Sequence, residues 1–485
     1  MSTVKHRDIP LNKISDWQWE IPISYRNDMR VPARIYASEQ MLESIFRDRS
    51  LQQLVNVATL PGILKAALLM PDAHEGYGFP IGGVAATEHP DGLISPGGIG
   101  YDINCGVRLL TSQTTIDEVK PHMEKLAQKV FENVPSGVGK AGHHRLSIKE
   151  LDEVLQHGVK WAVREGLATE QDRQHIESGG CLPEADPRSV SRHAKERGKD
   201  QLGTMGAGNH FVEIDHIDEI YDKDIAAQLG LYKNQTVFLI HTGSRGLGHQ
   251  VATDALREMM TAMPKYGVKL PDRELAGVPF SSREGQEYFQ GMCAAANFAW
   301  TNRQLITHQL RQAWRSVMGD GNGTLEVLYD VAHNIAKIED YEIDGKMTKV
   351  IVHRKGATRA FPAGHPDISE LFQKTGQPVL IPGSMGTASY VLVGAEGAMK
   401  ETFGSSCHGA GRSMSRTKAR KEMQGDVLLR ELSEQGVLVQ TKTVRTLTEE
   451  APYAYKDVHS VVDVVHNAGI AIKIARLRPV AVVKG

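Results

Sequence analysis

Five histidines sit where the chain could aim them into a cleft. His210 follows the glycine-rich GTMGAGN, His241 ends the apolar FLI and opens TGSRG, and His333 ends YDVA ahead of NIAKIE. His353 ends KVIV, and His408 lies within CHGAGRS. A histidine at a strand end, beside backbone free to turn, projects from a rigid sheet toward open space. Taken singly, each of the 20 histidines is more often a surface or hydrogen-bonded structural residue. Together with Asp102 and Cys105 of YDINCG the set supplies nitrogen, sulfur and oxygen donors. Such a mixture suits Mn, Fe, Co or Zn better than Ca or Mg. One turn could present both Asp102 and Cys105, although D-x-x-C by itself is a weak signal.

Four glycine-rich segments, GTMGAGN, HTGSRG, PGSMGTAS and CHGAGRS, resemble anion cradles. In such turns successive backbone N–H groups can converge on phosphate oxygens. None fits GxxxxGK[ST] or a strand-linked GxGxxG. Each alone reads as an ordinary loop, but four of them with serines and arginines favour a nucleotide or polyphosphate ligand.

These residues need elements to hold them. SEQMLESIFRD reads as a helix, and ILKAALLM and TVFLIHTG read as buried strands. Residues 115–133 and 148–200 read as charged helical stretches, and 282–318 as one long or broken helix. Strands return in LEVLYDVAH, KVIVH, PVLIPG and ASYVLVG. Strands and helices interleave without a regular βαβ period. The fold class expected is therefore α+β: a single large compact domain over 1–485, with a mixed β-sheet core, surrounding helices and a helical insertion at about 115–200.

Composition narrows the class of protein. In 485 residues, 41% are hydrophobic and 24% charged, as expected of a globular chain able to bury a large core. Lys and Arg total 56 against 58 for Asp and Glu, so any nucleic-acid contact must come from a local basic patch. The segment Arg412, Arg416, Lys418, Arg420, Lys421 is the best such patch, with Arg412 and Arg416 the expected phosphate contacts and Arg245 and Lys355 second choices. The opening MSTVKHRDIPLNK offers no secretory signal, and no apolar run suggests a membrane span. Four widely spaced cysteines without a CxxC pair do not form a disulfide framework. A cytoplasmic enzyme with thiols available for metal is the expectation.

Beyond chemistry, the motifs themselves are distinctive. YDINCGVR, GTMGAGNHFVEI, HTGSRGLGHQV, VAHNIAKIE, HRKGATRAFP, PVLIPGSMGTASYVLVG and CHGAGRSMSR, with AYKD and the terminal PVAVVKG, resemble the RtcB-type RNA-splicing ligases. The resemblance runs in order from about Met70 to the chain end. It implies a GTP- and Mn²⁺-dependent enzyme of tRNA splicing or RNA repair. Such an enzyme joins RNA ending in a 3′-phosphate or 2′,3′-cyclic phosphate to RNA with a 5′-hydroxyl. The cyclic end is first hydrolysed, His408 takes GMP from GTP as a phosphoramidate, GMP passes to the 3′-phosphate, and the 5′-hydroxyl displaces it.

The resemblance also implies roles by residue. Asp102, Cys105, His210, His241 and His333 hold two Mn²⁺ ions, with Cys105 as the bridge. Glu213 or the terminal Lys484 reads the guanine edge, Tyr455 stacks nearby, Ser384 and Ser389 line the pocket, and Asn209 contacts a phosphate or a metal-bound group. Arg412 meets phosphate, and Asp72 and His74 orient the metal ligands from behind. A lysine one residue from a chain end is ordinarily frayed, but the apolar VAVV before Lys484 suggests a docked strand. Some family members need an activating partner such as archease. The alternative reading is a metal-dependent phosphodiesterase that opens cyclic phosphates at RNA ends without ligation. A non-catalytic RNA-binding module is a third, and has no use for the metal donors.

Overall fold

Apolar alternation drives the strands into two large sheets in the computed structural model, which describes residues 3–6 and 9–485. The first sheet has eight strands in the order Thr3–His6, Ile9–Lys13, Gln18–Ile21, Ala33–Tyr36, Ala67–His74, Ile81–Glu88, Lys346–Lys355, Asn334–Ile343. The second runs Glu326–Ala332, Gly106–Thr115, Gln235–Thr242, Phe211–Ile220, Ala471–Lys484, Ser389–Gly394, Pro378–Ile381, with Leu438–Thr441 parallel to the Ala471–Lys484 strand. The expected single compact α+β architecture is present, and most pairings are antiparallel.

Strand residues point alternately to opposite faces, and the second sheet uses both. Val237 and Leu239 pack with Trp19, Ile35 and Leu69 of the first sheet in one core. Phe238 and Ile240 enter another core, with Leu310 and Trp314 of the helix Arg283–Met318 and Leu126 and Val130 of the helix Met123–Asn133. That long helix is unbroken over 36 residues, about 54 Å at 1.5 Å per residue. Its first half packs Phe298 and Trp300 against Ile335 and Ile351 on the remaining face of the first sheet.

The helical stretch expected at 148–200 is instead several short pieces, including Ile148–His157, Val159–Arg164, Glu170–Gln174 and Arg192–Gly198. Gly158 at φ +52° and the left-handed pair Ser178–Gly179 break the helix, and Pro183 and Pro187 exclude its continuation. Pro121 similarly divides Ile116–Val119 from Met123–Asn133 by a single 3₁₀ turn. The terminal strand is docked as its apolar run suggested: Ala471–Lys484 lies inside the second sheet, between Phe211–Ile220 and Ser389–Gly394.

Candidate active site

Four neighbouring strands of the second sheet bring the donors together. In antiparallel order, the end of Glu326–Ala332, the start of Gly106–Thr115, the end of Gln235–Thr242 and the start of Phe211–Ile220 share one sheet edge. His333, Cys105, His241 and His210 sit at those four positions. Asp102 comes from the turn just before Cys105, whose N–H donates to the Asp102 carbonyl at 2.9 Å.

The donors form two overlapping groups, Cys105–His241–His333 and Asp102–Cys105–His210, with ligand atoms in each within 4.8 Å of one another. The Cys105 sulfur lies 3.3 Å from His241 Nε2 and 3.5 Å from His210 Nε2. His210 Nε2 lies 2.9 Å from Asp102 Oδ2, and the Nε2 atoms of His241 and His333 are 3.3 Å apart. Two imidazole nitrogens this close cannot both carry protons comfortably. Burial first, and the neighbouring imidazoles second, push His241 and His333 well below the ordinary histidine pKa, which leaves their lone pairs available. Burial and the Asp102 charge raise the Cys105 thiol, as an uncompensated anionic cluster would. A set of N, S and O donors that shares one sulfur suits a borderline metal ion better than a hard one such as Ca or Mg.

His408 faces the same cleft from the other side. It follows the short strand Ser405–Cys407, and its ring centroid is 4.9 Å from that of His333. Asp72, fully buried on the strand Ala67–His74, accepts from the His408 backbone N–H at 2.9 Å and from its Nδ1 at 2.5 Å. Nε2 is the ring nitrogen not held by Asp72. Asp72 thus orients His408, and His74 stands at hydrogen-bond range of the Arg412 N–H rather than behind the metal donors.

Two of the glycine-rich segments line the cleft with backbone: Pro382–Met385 and His408–Gly411. Glycines of these segments also serve close packing. A Cβ on Gly243 would lie 2.4 Å from Asp102 Oδ1, and one on Gly411, at φ +72°, would lie 2.0 Å from the Asp72 carbonyl oxygen.

Asn209, Ser384, Arg412, Tyr455 and Lys484 also line the cleft. Lys484 is buried and donates to the Gly208 carbonyl at 2.8 Å. Glu213 and Ser389 are not among the residues that line it. Ser389 Oγ accepts from the Gly383 N–H at 3.0 Å and so shapes the PGSMG turn. Burial, then the charge of Asp215, raises the Glu213 carboxyl, and Lys484 partly opposes them. Of the basic patch, Arg412 and Arg416 reach the cleft, while Arg420 and Lys418 pair with Glu449 and Glu422. Arg245 is half-buried, bonded to Thr204 and Gly137. Lys355 is buried against the Tyr77 and Gly97 carbonyls, away from the cleft lining. His353 is structural: its Nε2 accepts from the Ser95 N–H at 3.3 Å.

Three groups escaped the sequence reading. Glu450, 2% exposed, binds Arg412 at 3.1 Å and Arg416 at 2.9 Å and accepts from the Tyr455 hydroxyl. Lys456 donates to the Pro71 and Ala73 carbonyls on either side of Asp72. Arg303, fully buried on the long helix, donates to the Asn104 and Thr242 carbonyls at 2.8 Å each and pairs with Asp330 at 2.8 Å. It thereby ties together the residues next to Cys105 and His241. The run of polar residues Asn302, Arg303 and Gln304, soon after the apolar Phe298–Trp300 of that helix, was the available signal.

An oriented imidazole beside two overlapping groups of candidate metal donors, in a cleft edged by arginines and a lysine, marks a candidate metal-dependent active site. Comparison with known proteins gives the family. The family model described as tRNA-splicing ligase RtcB matches residues 53–485. A tRNA-splicing ligase RtcB of Thermococcus kodakarensis is 56% identical over 479 residues, covering 98% of this chain and 99% of that protein. Proteins of the same description from Nanoarchaeum equitans and Archaeoglobus fulgidus are 53% and 52% identical, with 99% and 98% of this chain and 100% and 99% of theirs covered. The chain belongs to the RtcB family of tRNA-splicing ligases. Among the described residues no helix is long and apolar enough to cross a membrane.

Proposed function

We propose that this chain is a GTP- and Mn²⁺-dependent RNA ligase. It joins 3′-phosphate or 2′,3′-cyclic phosphate ends to 5′-hydroxyl ends in the cytoplasm, for tRNA splicing or RNA repair. The observation that supports this reading most directly is the paired setting of His408: Nδ1 held by Asp72, and the ring against His333 of the donor cluster.

With Nδ1–H donated to Asp72, the Nε2 lone pair attacks the α-phosphorus of GTP. An N–P bond forms as the bond to the leaving pyrophosphate breaks, and the positive charge developing on the ring is stabilised by the Asp72 carboxylate. Two Mn²⁺ ions held by Asp102, Cys105, His210, His241 and His333 would neutralise phosphate charge, which dominates the barrier to such transfers. Arg412 and Lys484 add positive charge at the cleft wall, Asn209 and Ser384 offer polar contacts, and Tyr455 offers a ring for the base. Ser389 sets the turn, and of Glu213 and Lys484 it is Lys484, on the cleft lining, that reads the guanine edge. GMP then passes to the RNA 3′-phosphate, and the 5′-hydroxyl attacks that phosphorus and releases GMP.

The test is incubation with α-labelled GTP and Mn²⁺ followed by denaturing electrophoresis. A protein-bound label that acid releases and base does not, absent in His408→Ala, is expected. An unlabelled wild-type chain would refute the ligase and leave the phosphodiesterase, which has no need of an oriented nucleophile.

A further inference from the structure

A second cavity, of about 540 Å³, shares no lining residue with the cleft. The helix Arg245–Ala262, the first turns of Arg283–Met318 and the segment 186–191 enclose it. Gly291 lets that segment close on the long helix: a Cβ there would lie 2.9 Å from the Ser189 carbonyl oxygen. Asp186, Asp254, Glu258 and Glu287 line the cavity, against one cation, Arg188.

Part of this negative charge has no answer in the chain. Arg188 pairs with Asp186 at 2.7 Å, and exposed Arg283 with Glu287 at 2.8 Å. Lys195, which also acts on Asp186, is held by Asp152 at 2.7 Å. Asp254 meets only neutral donors, the Ser191 hydroxyl and the Gln250 amide, each at 2.7 Å. Glu258 makes no ion pair among the described residues. Burial, then the charges of Glu287 and Glu284, raise its carboxyl, and Arg283 partly opposes them.

A buried polar group stands in the same wall. Tyr288 is 4% exposed and lines the cavity, and its hydroxyl has no hydrogen-bond partner. A buried hydroxyl left unpaired is unfavourable, and a ligand that brings an N–H relieves it. Val251 and Ala255 add apolar surface beside Asp254 and Glu258 on the same helix. Among the described residues these carboxylates do not form a group of three with ligand atoms within 4.8 Å, as the Cys105 groups do, so the lining is not that of a metal site. It suits ammonium groups carried on a hydrocarbon chain: N–H donors for the carboxylates and the hydroxyl, and methylenes for Val251, Ala255 and the Tyr288 ring.

We infer that this cavity binds a linear polyamine, with ammonium groups on Asp254 and Glu258 and one N–H on the Tyr288 hydroxyl. The site holds whatever reaction the cleft performs.

The experiment is isothermal titration of the full chain with spermidine at fixed ionic strength, without RNA or nucleotide. One saturable site per chain is expected, weakened about tenfold in Asp254→Asn and in Glu258→Gln and about fivefold in Tyr288→Phe. Glu342→Gln, which alters an exposed carboxylate on the first sheet, should bind as the wild type does. Without spermidine, Tyr288→Phe should melt no lower than the wild type, since the hydroxyl it loses has no partner. Absence of saturable binding, wild-type affinity in the three cavity variants, or an equal loss in Glu342→Gln would overturn the site. Full displacement of spermidine by Mg²⁺ at the same concentration would reduce it to a diffuse acidic surface. A tri-lysine peptide that binds more tightly than spermidine would overturn the polyamine and give the cavity to a basic protein segment.

Discussion

Asp72 and His408, 336 residues apart in the chain, are joined by two hydrogen bonds to one carboxylate oxygen, from the backbone N–H at 2.9 Å and from Nδ1 at 2.5 Å. The backbone bond sets where the loop lies, and the ring bond sets which nitrogen bears the proton. Lys456 holds the carbonyls on both sides of Asp72, and Gly411 lets the loop close on its backbone.

From this pairing, Asp72→Asn should leave the fold intact and slow GMP labelling of His408 by about 10²–10⁴-fold, because an amide can stabilise the wrong imidazole tautomer. Single-turnover labelling rates check it, with thermal melts as the control. Labelling at the wild-type rate would remove Asp72 from the mechanism.

Cys105 is the one donor common to both ligand groups. Cys105→Ala should reduce bound Mn²⁺ from two ions per chain to one or none, with the circular dichroism spectrum unchanged. Elemental analysis after equilibrium dialysis measures this. Unchanged stoichiometry and affinity would exclude Cys105 from the ligands.

Arg303 pairs with Asp330, which also accepts from Arg108 at 2.7 Å, and all three side chains are fully buried. Arg303→Met leaves a buried carboxylate short of one partner and frees the Asn104 and Thr242 carbonyls. A loss of about 3–5 kcal/mol is expected, read from urea denaturation. Weaker Mn²⁺ binding should accompany it, since those carbonyls adjoin Cys105 and His241.

Acid sensitivity should come from two buried carboxylates. Burial raises Asp172, but Arg311, at 2.6 Å, outweighs it and holds the carboxyl at about 2. Burial likewise raises Glu177, and the charges of Lys337 and Arg359 bring it to about 2. Both folded values are depressed, so their stabilisation is full above pH ~4.5 and is lost as pH falls toward about 2. Each contributes on the order of a few kcal/mol. Urea midpoints between pH 6 and 2.5 should fall steeply below about 4.5 in the wild type and less steeply in Asp172→Asn or Glu177→Gln.

The sequence alone determined the donor inventory, the strand-end placement of His210, His241 and His333, the docked terminal strand and the family resemblance. These are local properties: a strand end follows from an apolar run meeting glycine, and a motif is contiguous. It could not separate His353, equally at a strand end, from the metal donors, because His353 lies on the first sheet and faces Ser95. Nor could it show that Asp72 serves His408, or that Glu450 ties Arg412, Arg416 and Tyr455 together. Those pairings join distant segments, and only packing the two sheets and the long helix against each other brings the partners within hydrogen-bond range. Which histidine is held through Nδ1 by Asp72, and which gather around the Cys105 sulfur, is decided by that packing.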